Sequence, residues 1–337
     1  MAEPGAQAAQ DTPHYAAPPG SGVNLQRFGL SIAFVGLVVA LALLSPAFLT
    51  PENLLNVARQ VSVNAIIAAG MTFVILTAGI DLSVGSILAL AGAVMAGVLK
   101  GGAPVAVGLL AGLVVGAGAG MVNGLAVAYG RVAPFIVTLA TLTIARGATL
   151  VYTGGRPISD LGASFDWLGE GDLFGIPVPV IVTALVFAAS YVALTQMVVG
   201  RYVYAIGGNA EAARLSGVNV KRYTVLVYAL SGLLSAVAAV ILTARLDSAQ
   251  PTAGSGYELD AIAAVVLGGT TLMGGEGSIG GTLLGAFLIG VLNNGLNLLN
   301  VSSFYQQVVK GAVILLAVLL DQRLRRRGGR GPAIARS

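Results

Sequence analysis

Ten apolar runs set the terms for this chain: 28–44, 61–78, 84–99, 104–129, 134–152, 177–199, 224–244, 259–273, 279–299 and 304–320. A helix that crosses a bilayer needs about 20 apolar residues, because the hydrocarbon core is about 30 Å thick and each residue rises 1.5 Å. Inside lipid every backbone amide must find its partner within the fold, so uncharged runs of this length fold as helices. Two runs strain the rule. The stretch 28–44 sits at the short limit, and the fifteen residues of 259–273 rise only about 22 Å. With 56% hydrophobic and 9% charged residues and a mean hydropathy of +0.88, against about 25% charged in soluble domains, the expected fold is an all-α polytopic membrane protein. It has about ten transmembrane helices, some short or broken.

Charge orients the spans. An even count puts both termini on one side, together with Arg27, Arg131, the bases of the long loop 200–223 and the terminal cluster Arg323, Arg325, Arg326 and Arg327. Arg59, Lys100, Arg156 and Arg245 fall on the other side, diluted by Asp160, Asp166, Glu170 and Asp172. The positive-inside rule then makes the N and C termini cytoplasmic. Three parts follow: a disordered polar tail over 1–24, a transmembrane permease-like domain over 25–321, and a basic cytoplasmic tail over 322–337.

Several chemistries drop out. There are no cysteines, and the lone His14 lies in the polar tail, so neither a thiolate site, a histidine triad nor a metal centre is expected. Gly275, Gly277 and Gly280 spell GxGxxG, but no strand precedes them; GxxxxGK[ST] is absent. The chain therefore binds no nucleotide or other cofactor itself, and any ATP-driven work uses a partner's motor. The basic residues hug the spans, which argues against a nucleic-acid partner.

What remains is the loop GRYVYAIGGNAEAARLSGVNVKRY over 200–223, with Arg201, Arg214, Lys221 and Arg222. Asn209 is placed to cap a short helix over 210–216, with Glu211 in its first turn and Gly217 at its end. A helix capped at both ends in a loop between spans reads as a docking helix for a soluble partner. Two further stretches copy each other: Gly79, Asp81, Ser83 and Gly85 share their offsets with Gly274, Glu276, Ser278 and Gly280. Repeated, glycine-broken, acid-bearing segments point to a transport pathway or gate, and equally describe a pair of cytoplasmic turns with helix-capping acids.

The stripes Gly112, Gly116, Gly120, Gly124 and Gly277, Gly281, Gly285 let helix backbones approach closely. Asn293, Asn297 and Asn300 fall at i, i+4 and i+7 with Asn294 alongside; they suit either interhelical bonding or transient contact with sugar hydroxyls. Arg146 and Lys310 must face protein or a wet cavity, with Asp81 and Glu276 the candidate partners of Arg146.

The residues NAIIAAGMTFVILTAGIDLSVGSILAL from Asn64, the loop from Gly200, and ARLDSAQPTAGSGYELDAIAAVVLGGTTLMGGEGSIGGTLLG onward from Ala244 resemble the monosaccharide permeases of bacterial ATP-binding-cassette importers. Within that ribose/xylose/arabinose group they look most like the ribose permease subunit, over about 53–321. The resemblance implies a homodimer in the bacterial inner membrane. It implies two partners: a cytoplasmic ATPase that uses ATP and Mg, and a periplasmic sugar-binding protein. It also implies that Gly207, Asn209, Glu211, Arg214 and Gly217 couple to the ATPase. Asp81, Ser83, Glu276, Ser278, Asn293, Asn294 and Asn297 are then the pathway or gate candidates. A proton-coupled secondary transporter, with Asp81 and Glu276 as carriers, is the reading from another class.

Overall fold

The computed structural model describes residues 25–328; the tail over 1–24 and residues 329–337 lie outside the described residues. Thirteen helices and two short β-pairs appear in that range. In order they are α1 (Leu25–Leu44), α2 (Pro51–Leu76), α3 (Val84–Lys100), α4 (Val105–Ala128), α5 (Pro134–Thr153), β1 (Ile158–Ser159), α6 (Ala163–Glu170), β2 (Asp172–Leu173), β3 (Ile176–Pro177), α7 (Val178–Thr195), α8 (Val198–Gly208), α9 (Ala210–Leu215), α10 (Val220–Arg245), β4 (Ser248–Ala249), α11 (Tyr257–Leu267), α12 (Ile279–Leu298) and α13 (Ser303–Gly328). Among the described residues six helices, α2, α4, α5, α7, α10 and α12, are long and apolar enough to cross a membrane. The chain is an all-α membrane protein.

The core is built around α2. Every residue from Ala65 to Leu76 is buried, and α10, α12, α11 and α7 pack about it. Pro51 at the first helical position and the Thr50 side chain, which accepts from the Asn53 amide, start this helix well before the apolar run. Arg59 and Gln60, which precede the apolar run at 61, lie within this one continuous helix, partly buried. α12 runs antiparallel to α2. Thr72 pairs with Thr282 at 2.8 Å near one end, and Asn53 exchanges hydrogen bonds with Asn294 at 2.8 and 3.1 Å near the other.

The glycine stripe of α4 is spent on packing. A Cβ on Gly116 would meet the Gly232 carbonyl of α10 at 2.5 Å, and one on Gly124 the Val225 Cα at 2.6 Å. Only hydrogen side chains let these two backbones touch. Farther along α4, Gly112 abuts Ala91 and Met95 of α3. On α12, Gly281 and Gly285 meet Gly268 and Ala264, while Gly277 lies in the preceding loop.

Opposite the α8–α9 end, β1 pairs antiparallel with β4, Ile158 facing Ala249, and α6 lies across them. Phe165 of α6 is fully buried with Met95, Leu99 and Ala244. The Asp247 carboxylate accepts from the Leu161 amide at 2.7 Å, and Lys100 donates to the Ser159 carbonyl at 3.0 Å. These contacts tie the cap to the helix ends.

Candidate functional site

Asn209 leaves the helical region and its side chain accepts from the Ala212 amide at 2.9 Å, so α9 begins where the sequence places it. Gly217, at φ 88°, lets the chain turn away at its end. Arg214 bonds Glu211 one turn earlier, Nε to Oε2 at 3.0 Å and Nη2 to Oε1 at 2.5 Å, with both side chains more than half exposed. The Arg214 hydrogen bond holds the Glu211 carboxyl below its ordinary range, and the same bond raises the guanidinium. α9 thus presents a formed, charged surface to solvent. The sequence missed α8 beside it and ran the preceding span through to 199. Met197 is extended, at φ −95° and ψ 159°, and breaks the helix without a Gly or Pro to mark it.

Gly207 of α8 is wedged against two backbones at once. A Cβ there would overlap the Leu76 carbonyl at the end of α2 and the Gly275 amide of the second repeated segment. That Gly275 amide itself donates to the Leu76 carbonyl at 3.0 Å. Gly274 and Gly275, at φ 83° and 76°, pack on Ala78 and on Gly207–Gly208. One helix turn earlier on α8 the Tyr204 hydroxyl donates to the Gly277 carbonyl at 3.0 Å. α8 therefore packs on the second Gly-acid-Ser-Gly loop and on the end of α2, three residues before the first, an association that no spacing argument along the sequence could supply.

The two acids of the repeat meet different surroundings. Asp81 is fully buried; it accepts from the Ser83 amide at 3.0 Å, the Ser83 hydroxyl at 2.5 Å and the Ser231 hydroxyl at 2.8 Å. The Ser83 hydroxyl accepts in turn from Asn123 of α4 at 2.9 Å, and Asn123 accepts from Thr141 of α5 at 2.6 Å. One carboxylate thus organises a dry polar network joining α3, α4, α5 and α10. Glu276 is exposed and lines a cavity of about 640 Å³ between α1, α7, α8 and the start of α12. Ser278 caps α12, accepting from the Gly281 amide at 3.1 Å.

The amides divide. Asn294 is buried against Asn53, Asn297 is exposed and accepts from Gln306 at 2.7 Å, and Asn293 is half-buried with its carbonyl oxygen unpartnered. Asn300 lies beyond the end of α12 at φ 54°, so the helical face i, i+4, i+7 stops short of it. Arg146 meets neither Asp81 nor Glu276. It donates to the carbonyls of Pro251 and Ala253 at 2.7 and 2.8 Å, with Glu258 as the nearby charge, because the segment before α11 folds back over α5. Lys310 pairs with Asp260 at 3.0 Å, largely shielded from solvent. Among the described residues no group of three His, Cys, Asp or Glu could hold a metal.

The family described as branched-chain amino acid transport system / permease component matches residues 53–318. The chain is 56% identical over 301 residues to the ribose import permease protein RbsC of Bacillus subtilis (strain 168), covering 89% of this chain and 94% of that protein. It is 54% identical over 296 residues to the RbsC of Escherichia coli (strain K12), covering 87% and 92%. To the D-allose transport system permease protein AlsC of Escherichia coli (strain K12) it is 41% identical over 300 residues, covering 88% and 91%. No solved structure matches the chain.

Proposed function

The chain belongs to the permease-component family of branched-chain amino acid transport systems, and from that premise we propose that it is the membrane subunit of an ATP-driven importer for a monosaccharide, ribose before allose or xylose. It is a multi-pass protein of the bacterial inner membrane. The observation that carries the mechanism is the contact of α8 with the end of α2 at Leu76 and with the second repeated loop at Gly275. A cytoplasmic ATPase that closes on ATP and Mg pushes α9, and α8 transmits the push as a rigid body. The end of α2 and the second loop move together because their backbones are joined at Leu76 and Gly275. Packed elements of this kind switch between discrete arrangements rather than deforming continuously. A sugar handed over by a periplasmic binding protein then crosses unmodified, past polar groups such as Asn293, along the axis of a homodimer. The permease itself needs no cofactor.

Ten spans with both termini cytoplasmic complete this reading. It draws support from the cavity, where residues of the first turns of α1 lie beside Tyr204 of the docking segment. Reporter fusions at Gly171 and Gly208 should mark opposite compartments; the same compartment for both would end this topology.

The importer reading is tested in proteoliposomes holding the permease and its ATPase, with the binding protein outside. Ribose uptake should require ATP and the ATPase and should survive collapse of the proton gradient. Uptake that follows the gradient would favour the secondary transporter. The sealing of Asp81 inside a fully bonded network speaks for a structural carboxylate there rather than a proton carrier.

A further inference from the structure

We propose that the cavity between α1, α7, α8 and the start of α12 is a binding site for the neutral, hydroxyl-rich product sugar on the docking side, and that its occupancy restrains the docking segment. This rests on the import function above for the identity of the ligand, but not for the existence of the site.

At about 640 Å³ the cavity lies in the range of small-molecule sites, about 300–1,000 Å³. Its chemistry is selective. Tyr191 and Thr195 come from the end of α7, Tyr204 from α8, and Glu276, Ser278 and Gly280 from the second repeated loop and the first turn of α12. Among the described residues no Lys, Arg or His lines it. A phosphate, nucleotide or anionic lipid headgroup would find no counter-charge and would face Glu276. Two phenol rings, a carboxylate, the hydroxyls of Ser31, Thr195 and Ser278 and glycine backbone suit instead a ring with apolar C–H faces and several hydroxyls.

The position gives the site a consequence. The Tyr204 hydroxyl to Gly277 carbonyl bond, at 3.0 Å, links α8 to the loop at the cavity's own wall. A ligand there touches both the element that receives the motor's push and the loop that passes it on. It favours whichever arrangement of the two it fits, and holding the segment in that arrangement slows the cycle. Accumulated sugar on the docking side would thereby throttle its own import.

Gly280 offers a clean test, because a Cβ there meets nothing within 4 Å. Gly280→Leu therefore fills the cavity without pushing a neighbour. The permease–ATPase complex in nanodiscs, without binding protein, is titrated with D-ribose while thermal midpoint and ATP hydrolysis are followed. Wild type should gain thermal stability and lose hydrolysis. Gly280→Leu should respond only at concentrations about tenfold or more higher. Tyr191→Ala, at an exposed position, should weaken the response without altering the fold, which guards against a misfolded filled variant. Absence of any ribose response in wild type, an undiminished response in both variants, or co-purified acyl chains filling the cavity would overturn the proposal. A complex that imports no sugar yet binds ribose in this way leaves the site standing and removes the import reading; one that imports ribose without the response does the reverse.

Discussion

The two Gly-acid-Ser-Gly loops share a pattern and part company in their environment. In the first, Asp81 is buried and holds three hydrogen bonds. In the second, Glu276 is exposed at the rim of a cavity, and the loop is held instead by its backbone, through Gly274, Gly275 and Gly277. The neighbours explain the difference. The first loop is enclosed by α4, α5 and α10, which supply Asn123, Thr138 and Ser231 as polar partners. The second follows a helix of only eleven residues, so its chain emerges early and lies against α8. A carboxylate in the same register is a structural centre in one copy and a surface group in the other. Their common element is Gly207, which touches the second loop at Gly275 and the α2 end at Leu76, from which the chain runs into the first.

Removing that common element should have the largest effect. Gly207→Val would drive a side chain into the Leu76 carbonyl and the Gly275 amide, neither of which is the yielding tip of a side chain. Ribose uptake should fall by more than about tenfold. Gly208→Ala, one residue on, meets nothing within 4 Å and should transport as wild type. Equal effects at the two glycines would mean that the contact is incidental.

Asp81→Ala comes next. It strands the Ser83 amide and hydroxyl and the Ser231 hydroxyl in a dry site, at a cost of roughly 3 kcal/mol by the usual penalty for unpaired buried donors. The thermal midpoint should drop by several degrees. Glu276→Gln should produce the smallest change, leaving the midpoint where it was and uptake within about twofold, since a surface polar exchange stays within about 0.5 kcal/mol. A midpoint loss for Glu276→Gln as large as that for Asp81→Ala would erase the contrast between the loops.

Much of this was legible beforehand because it is local. Asn209 as a cap, Gly217 as a stop and the Glu211–Arg214 spacing depend on neighbours within a turn, and the structure has each of them. The glycine stripe of α4 announced a close helix contact without saying with which helix; α10 supplied it. The repeat was visible as a pattern, but the junction of the α2 end with the second copy beside Gly207 joins residues 76, 207 and 275, which only the fold can bring together. The misreadings have the same origin. Met197 ends a span without a Gly or Pro to mark it, and the partners of Arg146 are backbone carbonyls, which leave no signature in a side-chain pattern.

That α8 and α9 form the seat of the motor is the claim on which the rest depends, and co-purification tests it most directly. Arg214 is exposed and bonded only within its own helix turn among its described contacts, so reversing it should spare insertion and folding. A charge set against a protein interface should matter far more once its partner there is left unpaired. Wild-type and Arg214→Glu permease, at equal levels in the same membranes, are used to capture the ATPase. The account predicts that the variant captures much less and loses sugar-stimulated ATP hydrolysis; undiminished capture with normal uptake would contradict it.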